Sequence, residues 1–275
     1  MAFLGTRLYL GLDASAVTAA ALGEGLGRRR ARGFARVPLE PGALTPSPSG
    51  PNLPRGDEAR GAIRRSVFGL AGTRVTLVLP DGVARLALVE LPRGADPRDY
   101  VLFRLAASLP FPAGEAIVDV LPAGGRLVVG AVVRRATVAE YEQAAAGAGL
   151  EVERVHLAPL VALAALMRAG PRDEVHALLG DVALCLAAFR GGAPAALRSR
   201  RRDRSAGEAS RLRDEASRAA ASAGDGADPL RLVVSGAGAA GLRRELGEES
   251  AGRGLEAPGE WPDAAEAAWL GGLLS

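Results

Sequence analysis

Apolar residues come in short runs broken by glycine, proline and charge, and those runs alternate between two periods. Residues 7–13, RLYLGLD, read as a strand ending on an acid, with 18–25 as its hairpin partner. Residues 41–56, PGALTPSPSGPNLPRG, carry too much proline and glycine for a regular element and predict a flexible surface loop. Residues 57–72 open with two acids and end in glycine, which predicts a helix. Two strands at 74–80 and 83–92 flank an Asp-Gly turn. A helix follows from about Pro97 and stops before Pro110. A strand pair at 115–122 and 125–134 turns at Gly-Gly.

Residues 137–149 read as a helix with Thr137 as N-cap and Glu140 at the capping-box position. A strand at 150–157 and a helix from about 159 to 168 close the first half. The second half reads as three strands over 173–200, a polar helix at 205–224, a strand–glycine turn–helix unit at 230–246 and a last helix at 263–274. Alternating strands and helices in both halves predict α/β architecture.

At 275 residues the chain suggests one large or two medium domains. Hydrophobic residues make up 48% but aromatics only 4%, so the cores must rest on Ala, Val and Leu. All 34 basic side chains are arginine, and the formal net charge is only +3, so any long-range field for nucleic acid or anionic lipid is weak. The arginine run 198–204, RSRRRDR, lacks interleaved aromatics and reads as a solvated face rather than a nucleic-acid module; lipid contact is a weaker variant. Cys185 is the single cysteine and lies in the apolar run VALCLAAF, which predicts a buried, inert thiol. With only His156 and His176 beside it, no zinc-type ligand set is present. No run reaches the roughly 18 apolar residues of a membrane helix. Asp13 interrupts the first apolar run, so it is expected to be a strand rather than a leader peptide.

Residues 236–241, GAGAAG, are a literal G-x-G-x-x-G between a strand and a helix. Little chain follows, and the stretch about 20 residues on is not a strand ending in an acid, so a turn packed with small residues is expected rather than a dinucleotide site.

The order of several segments resembles the PilM family, the actin-like component of type IV pilus assembly, and the related cytoplasmic domain of GspL. These are LYLGLDAS near the start, VTLVLPDGVARLALVELP (75–92), LPFPAGEAIVDVLP (109–122), the long stretch 128–166, LLGDVALCLAAFRGGAPAALRSR (178–200) and LVVSGAGAAGL (232–242). The resemblance implies the two-lobe actin/Hsp70/sugar-kinase fold. Its first lobe would span 1–171 with a small insert at about 83–155. Its second lobe would span 172–275, with its own insertion reduced to about 202–229.

The family's nucleotide loops map onto Asp13, Ser15, Gly180, Gly236 and Gly238. Asp13 matches the metal-holding acid of the first loop and reads otherwise as a turn-forming strand end. Ser15 replaces that loop's glycine, and Thr18 the downstream lysine. Gly180 matches the second loop's glycine, but Leu178 stands at its acid, and Asp181 is expected to face elsewhere because of the register shift. Binding of Mg-ATP is therefore expected to be weakened and hydrolysis lost. The resemblance implies a non-catalytic scaffold in the cytoplasm at the inner-membrane face. It would dock the N-terminal tail of a PilN-type membrane protein in a groove between the first lobe and its insert, beside other pilus platform proteins. Candidate groove segments are 75–92 and 125–134. The alternatives are an active ATPase or small-molecule kinase, with Asp181 as its base, or a type II secretion component.

Overall fold

The computed structural model describes residues 4–25, 28–170, 173–224, 230–247, 255 and 266–274. The chain begins with a hairpin of β1 (Leu4–Leu12) and β2 (Ala16–Gly25), to which β3 (Arg28–Pro38) adds antiparallel. Helix α1 (Gly56–Val67) leads to β4 (Arg74–Leu79), which pairs parallel with β1. Next come β5 (Ala84–Glu90), α2 (Pro97–Leu105), β6 (Ala116–Gly124) and β7 (Leu127–Arg134). Helix α3 (Arg135–Gly147), β8 (Glu151–Leu157) and α4 (Ala158–Ala169) return the chain to β4, beside which β8 runs parallel. The second half holds β9 (Glu174–Leu179), β10 (Ala183–Arg190), β11 (Ala193–Arg201), α5 (Glu208–Ser222), β12 (Arg231–Gly236), α6 (Ala239–Leu246) and α7 (Ala268–Leu274).

Among the described residues these strands form three sheets. The first has the order β3-β2-β1-β4-β8, the second β11-β10-β9-β12, and a small third sheet has β5-β7-β6. The small sheet is built entirely from chain lying between β4 and β8. The two larger sheets repeat one plan: an antiparallel hairpin, a third antiparallel strand, then a parallel strand reached through a helix.

Small side chains let helices sit close to these sheets. Along α5 the buried residues are Ala209, Leu212, Ala216 and Ala219, one stripe at helical spacing on an otherwise polar helix. Helix α1 does the same with Ala59, Ala62, Ile63 and Ser66. Each fully buried leucine, such as Leu10, Leu77 or Leu186, stabilises by about 1.5–3 kcal/mol. Helix α2 begins where Asp96 accepts the N–H groups of Arg98 and Asp99, with Pro97 at its first position.

Five expectations change. The strand β3 was not anticipated: from Ala31 to Val37 small residues alternate with Arg32, Phe34 and Arg36, but with little apolar bulk, and pairing along β2 orders it. The predicted helix over 57–72 stops at Val67. Helix α3 starts at Arg135, and Thr137 lies buried inside it rather than capping it. Glu140 is not half of a capping box: its carboxylate accepts the backbone N–H groups of Asn52 and Leu53, 2.7–2.9 Å away. The proline-rich loop is therefore tied down instead of flexible. The last helix is described from Ala268; residues 263–265 lie outside the described residues. Among the described residues no helix is long and apolar enough to cross a membrane.

Candidate functional site

The β1–β2 turn and the β9–β10 turn face each other across the cleft between the two larger sheets. Each is a tight hairpin: the Asp13 N–H donates to the Ala16 carbonyl, and the Gly180 N–H donates to the Ala183 carbonyl. Such turns expose backbone N–H groups, which suit an anion. Here the anions come from the chain itself. The Ser15 N–H donates to Asp181 Oδ2 at 2.7 Å, and the Asp181 N–H donates to Asp13 Oδ2 at 3.3 Å. On the third, glycine-rich turn, the Gly238 N–H donates to Glu266 Oε2 at 2.8 Å.

Asp181 thus faces the cleft, contrary to the expectation from its register shift. The two-residue turn Asp181–Val182 swings the side chain back across to the first sheet. Arg204 pairs with its other oxygen at 3.2 Å. Asp181 is held by two partners and is a strut between sheets, not a free base.

Beside Arg204, two further arginines among the described residues stand at the cleft. Arg36 donates to Ser15 Oγ at 3.1 Å. The buried Arg202 donates to the carbonyls of Gly180 and Ala237, at 2.8 and 2.6 Å, and to Glu208 at 2.5 Å. It thereby ties the second and third turns together. A buried guanidinium with all these acceptors is a satisfied one.

A further acid, Asp81, was legible only as a turn residue. It sits in the short turn after β4, against Gly180: a Cβ on Gly180 would lie 2.5 Å from Asp81 Oδ1. Gly180 is required by this close approach. Burial, reinforced by the charge of Asp13, raises the Asp81 carboxyl to about 7. Burial and the neighbouring Asp181 raise Asp13 to about 6. An acid raised above its unfolded value favours the folded state at low pH and loses that advantage as pH rises. We expect Asp81→Asn to stabilise the protein relative to wild type progressively from about pH 4 to about pH 7, by roughly 2–4 kcal/mol in total. Urea denaturation across that range measures it; a difference flat with pH would refute the buried-carboxyl assignment.

The cleft that remains is about 50 Å³, lined by Asp13, Thr18, Leu178 and Trp269 among others. That is room for about one or two waters, against the several hundred Å³ of a typical ligand pocket. Trp269 on α7 lies against Gly11, so close that a Cβ there would be 2.6 Å from the ring. Among the described residues no group of three His, Cys, Asp or Glu is set to hold a metal. The turn amides of Ser15, Asp181 and Gly238, which would meet the phosphates of a nucleotide, are thus each engaged by a carboxylate of the chain. Gly236 serves the sheet instead. Its φ is +99°, and a Cβ would be driven into the Leu179 carbonyl oxygen. Cys185 is buried and burial pushes its thiol up, as expected of an inert residue. His176 is buried edge-on to Phe189, 5.5 Å between ring centres, with Glu174 at 3.3 Å.

The arginine run 198–204 is largely consumed internally. Alternate residues of β11 reach α5: Arg198 meets Ser222, Arg200 meets Glu215, and Arg202 beyond the strand meets Glu208.

A second concavity, of about 750 Å³, lies between the small sheet and the outer side of the first sheet. Strand β6 is the edge of one and β8 the edge of the other. Its walls are apolar: Ile117, Val118, Val120 and Leu121 on β6, Val155 and Leu157 on β8, Leu160 and Ala164 on α4. Arg98, Asp119, Glu142 and Arg168 stand among them. Of the segments expected from sequence, 75–92 contributes Leu79 and 125–134 contributes Ala131 and Val133. The larger share, from 117–121 and 155–164, was not anticipated.

No family model and no curated protein matches the chain. Solved structures do. A PilM-PilN type IV pilus biogenesis complex aligns over 97% of this chain and 98% of that one, with TM-score 0.71 and 19% identity. A Bacteroides thetaiotaomicron protein with an actin-like ATPase fold aligns over 88% and 86%, with TM-score 0.60 and 10% identity. The cytoplasmic domain of EpsL, an inner-membrane component of the Vibrio cholerae type II secretion system, aligns over 84% and 82%, with TM-score 0.53 and 15% identity. The chain has the actin-like fold, and the resemblance to PilM and GspL read from the sequence holds at the level of that fold.

Proposed function

We propose that this chain is a non-enzymatic assembly scaffold of a type IV pilus machine. It takes the N-terminal tail of a PilN-type membrane protein in the groove between β6 and β8, at the cytoplasmic face of the inner membrane. The observation that carries the reading is the groove itself: apolar, about 750 Å³, and bounded by two strand edges. An extended peptide can hydrogen-bond to a free strand edge while its alternate side chains fill apolar pockets. Charged residues within the groove would fix its direction. The fold likeness to a PilM-PilN complex supports the partner class.

The cleft supports the non-enzymatic part. With Asp181 and Glu266 on the amide donors, the two sheets are braced without a nucleotide. Fluorescence anisotropy with a labelled PilN-type tail tests docking; absence of binding at high micromolar protein would overturn it. Calorimetric titration with Mg-ATP tests the cleft, and no saturable heat is expected. Micromolar affinity with turnover abolished by Asp13→Ala would restore the ATPase alternative.

A further inference from the structure

Two sequence features play no part in either site: the proline-rich loop and the outward half of the arginine run. They form opposite walls of one cavity of about 840 Å³, between the two larger sheets and the small one. That volume lies within the range of small-molecule pockets.

The loop wall is rigid. Asn52, fully buried, accepts the Ser47 N–H at 2.8 Å and donates to the carbonyls of Ser47 and Gly50 at 3.1 and 2.9 Å. Arg134 holds the Ser49 carbonyl at 3.2 Å, and Glu140 holds the loop's exit. A compact loop packed on its own side chains is a frequent site of function.

The other wall follows from strand alternation. Because Arg198 and Arg200 turn toward α5, Ser199 and Arg201 turn the opposite way, into the cavity. Arg85 on β5 and Arg204 line it too. Arg85 and Arg201 make no ion pair among the described residues, whereas Arg204 is paired with Asp181. Two carboxylates face the same space. Asp181 is engaged by Ser15 and Arg204, and Asp81 is buried against Gly180. What remains open is guanidinium, with hydroxyls of Thr45, Ser47 and Ser199 nearby.

We propose that this cavity binds a small, multiply charged oxyanion, a phosphate or a polycarboxylate, gripped by Arg85 and Arg201. Guanidinium forks match both groups through paired hydrogen bonds. The site is separate from the peptide groove and stands or falls independently of it.

Calorimetric titration at low and moderate salt with pyrophosphate and with citrate tests it. Saturable binding of either anion is expected, and the preferred one identifies the ligand class. The double variant R85A/R201A should weaken it by about tenfold or more. The variant R30A/R93A, which removes two exposed arginines elsewhere, should leave it unchanged. Urea denaturation verifies that R85A/R201A is folded, and tail-peptide anisotropy on it separates the two sites. No saturable binding up to about 10 mM of either anion, or equal losses in both double variants, would overturn the proposal.

Discussion

Gly236→Ala is expected to cost more than about 4 kcal/mol and to leave the second sheet unable to assemble at ambient temperature. The methyl group would collide with the Leu179 carbonyl oxygen, and that oxygen is backbone, so no rotamer relieves the clash. The same carbonyl accepts the Ala237 N–H at 2.9 Å, so moving it breaks the bond that joins the end of β9 to the turn after β12. At φ +99° an L-residue is strained besides. Gly241 provides the control within the same motif. It lies in α6, and a methyl group there would meet nothing within 4 Å, so Gly241→Ala should be neutral or stabilise by about 0.5–1 kcal/mol. Urea denaturation of the two variants measures the contrast. Equal stability would mean that the β12–α6 turn is not built as described.

Ala164→Arg is expected to weaken tail-peptide binding by about 100-fold while changing stability by less than about 1 kcal/mol. Ala164 lies on α4, half-buried, and faces the groove. Arginine forms helix nearly as well as alanine, so the helix survives. Its long side chain would fill space the peptide needs and set a cation against the apolar wall of β6. Anisotropy for affinity and thermal melting for stability separate the two effects. Unchanged affinity would move the docking place away from the groove.

These outcomes weigh local geometry against long-range contact, and the same division separates what was legible from what was not. The Gly191–Gly192 and Gly125–Arg126 turns mark hairpins because only a few neighbouring residues decide them. Strand β3 was missed because its alternation, Ala31, Gly33, Ala35 and Val37 against Arg32, Phe34 and Arg36, puts little apolar bulk on either face, and its order comes from β2. Glu140 has the right spacing for a cap, yet two amides of a loop 87 and 88 residues away compete for its carboxylate and win. The signal for Asp81 was present but local: an Asp-Gly turn carries no mark of the glycine that it touches in the other half of the molecule.

By itself the sequence determined the alternation of strands and helices, the alanine-based cores and the changed loop residues Ser15, Thr18 and Leu178. All of these rest on residue type and on spacing within a dozen positions. Only the tertiary structure decided what fills the cleft. Ser15 meets Asp181 across 166 residues, and Gly238 meets Glu266 from beyond a helix. A carboxylate accepts an amide hydrogen as readily as a phosphate does. Whether a turn holds a ligand or its own chain therefore depends on where a distant side chain arrives.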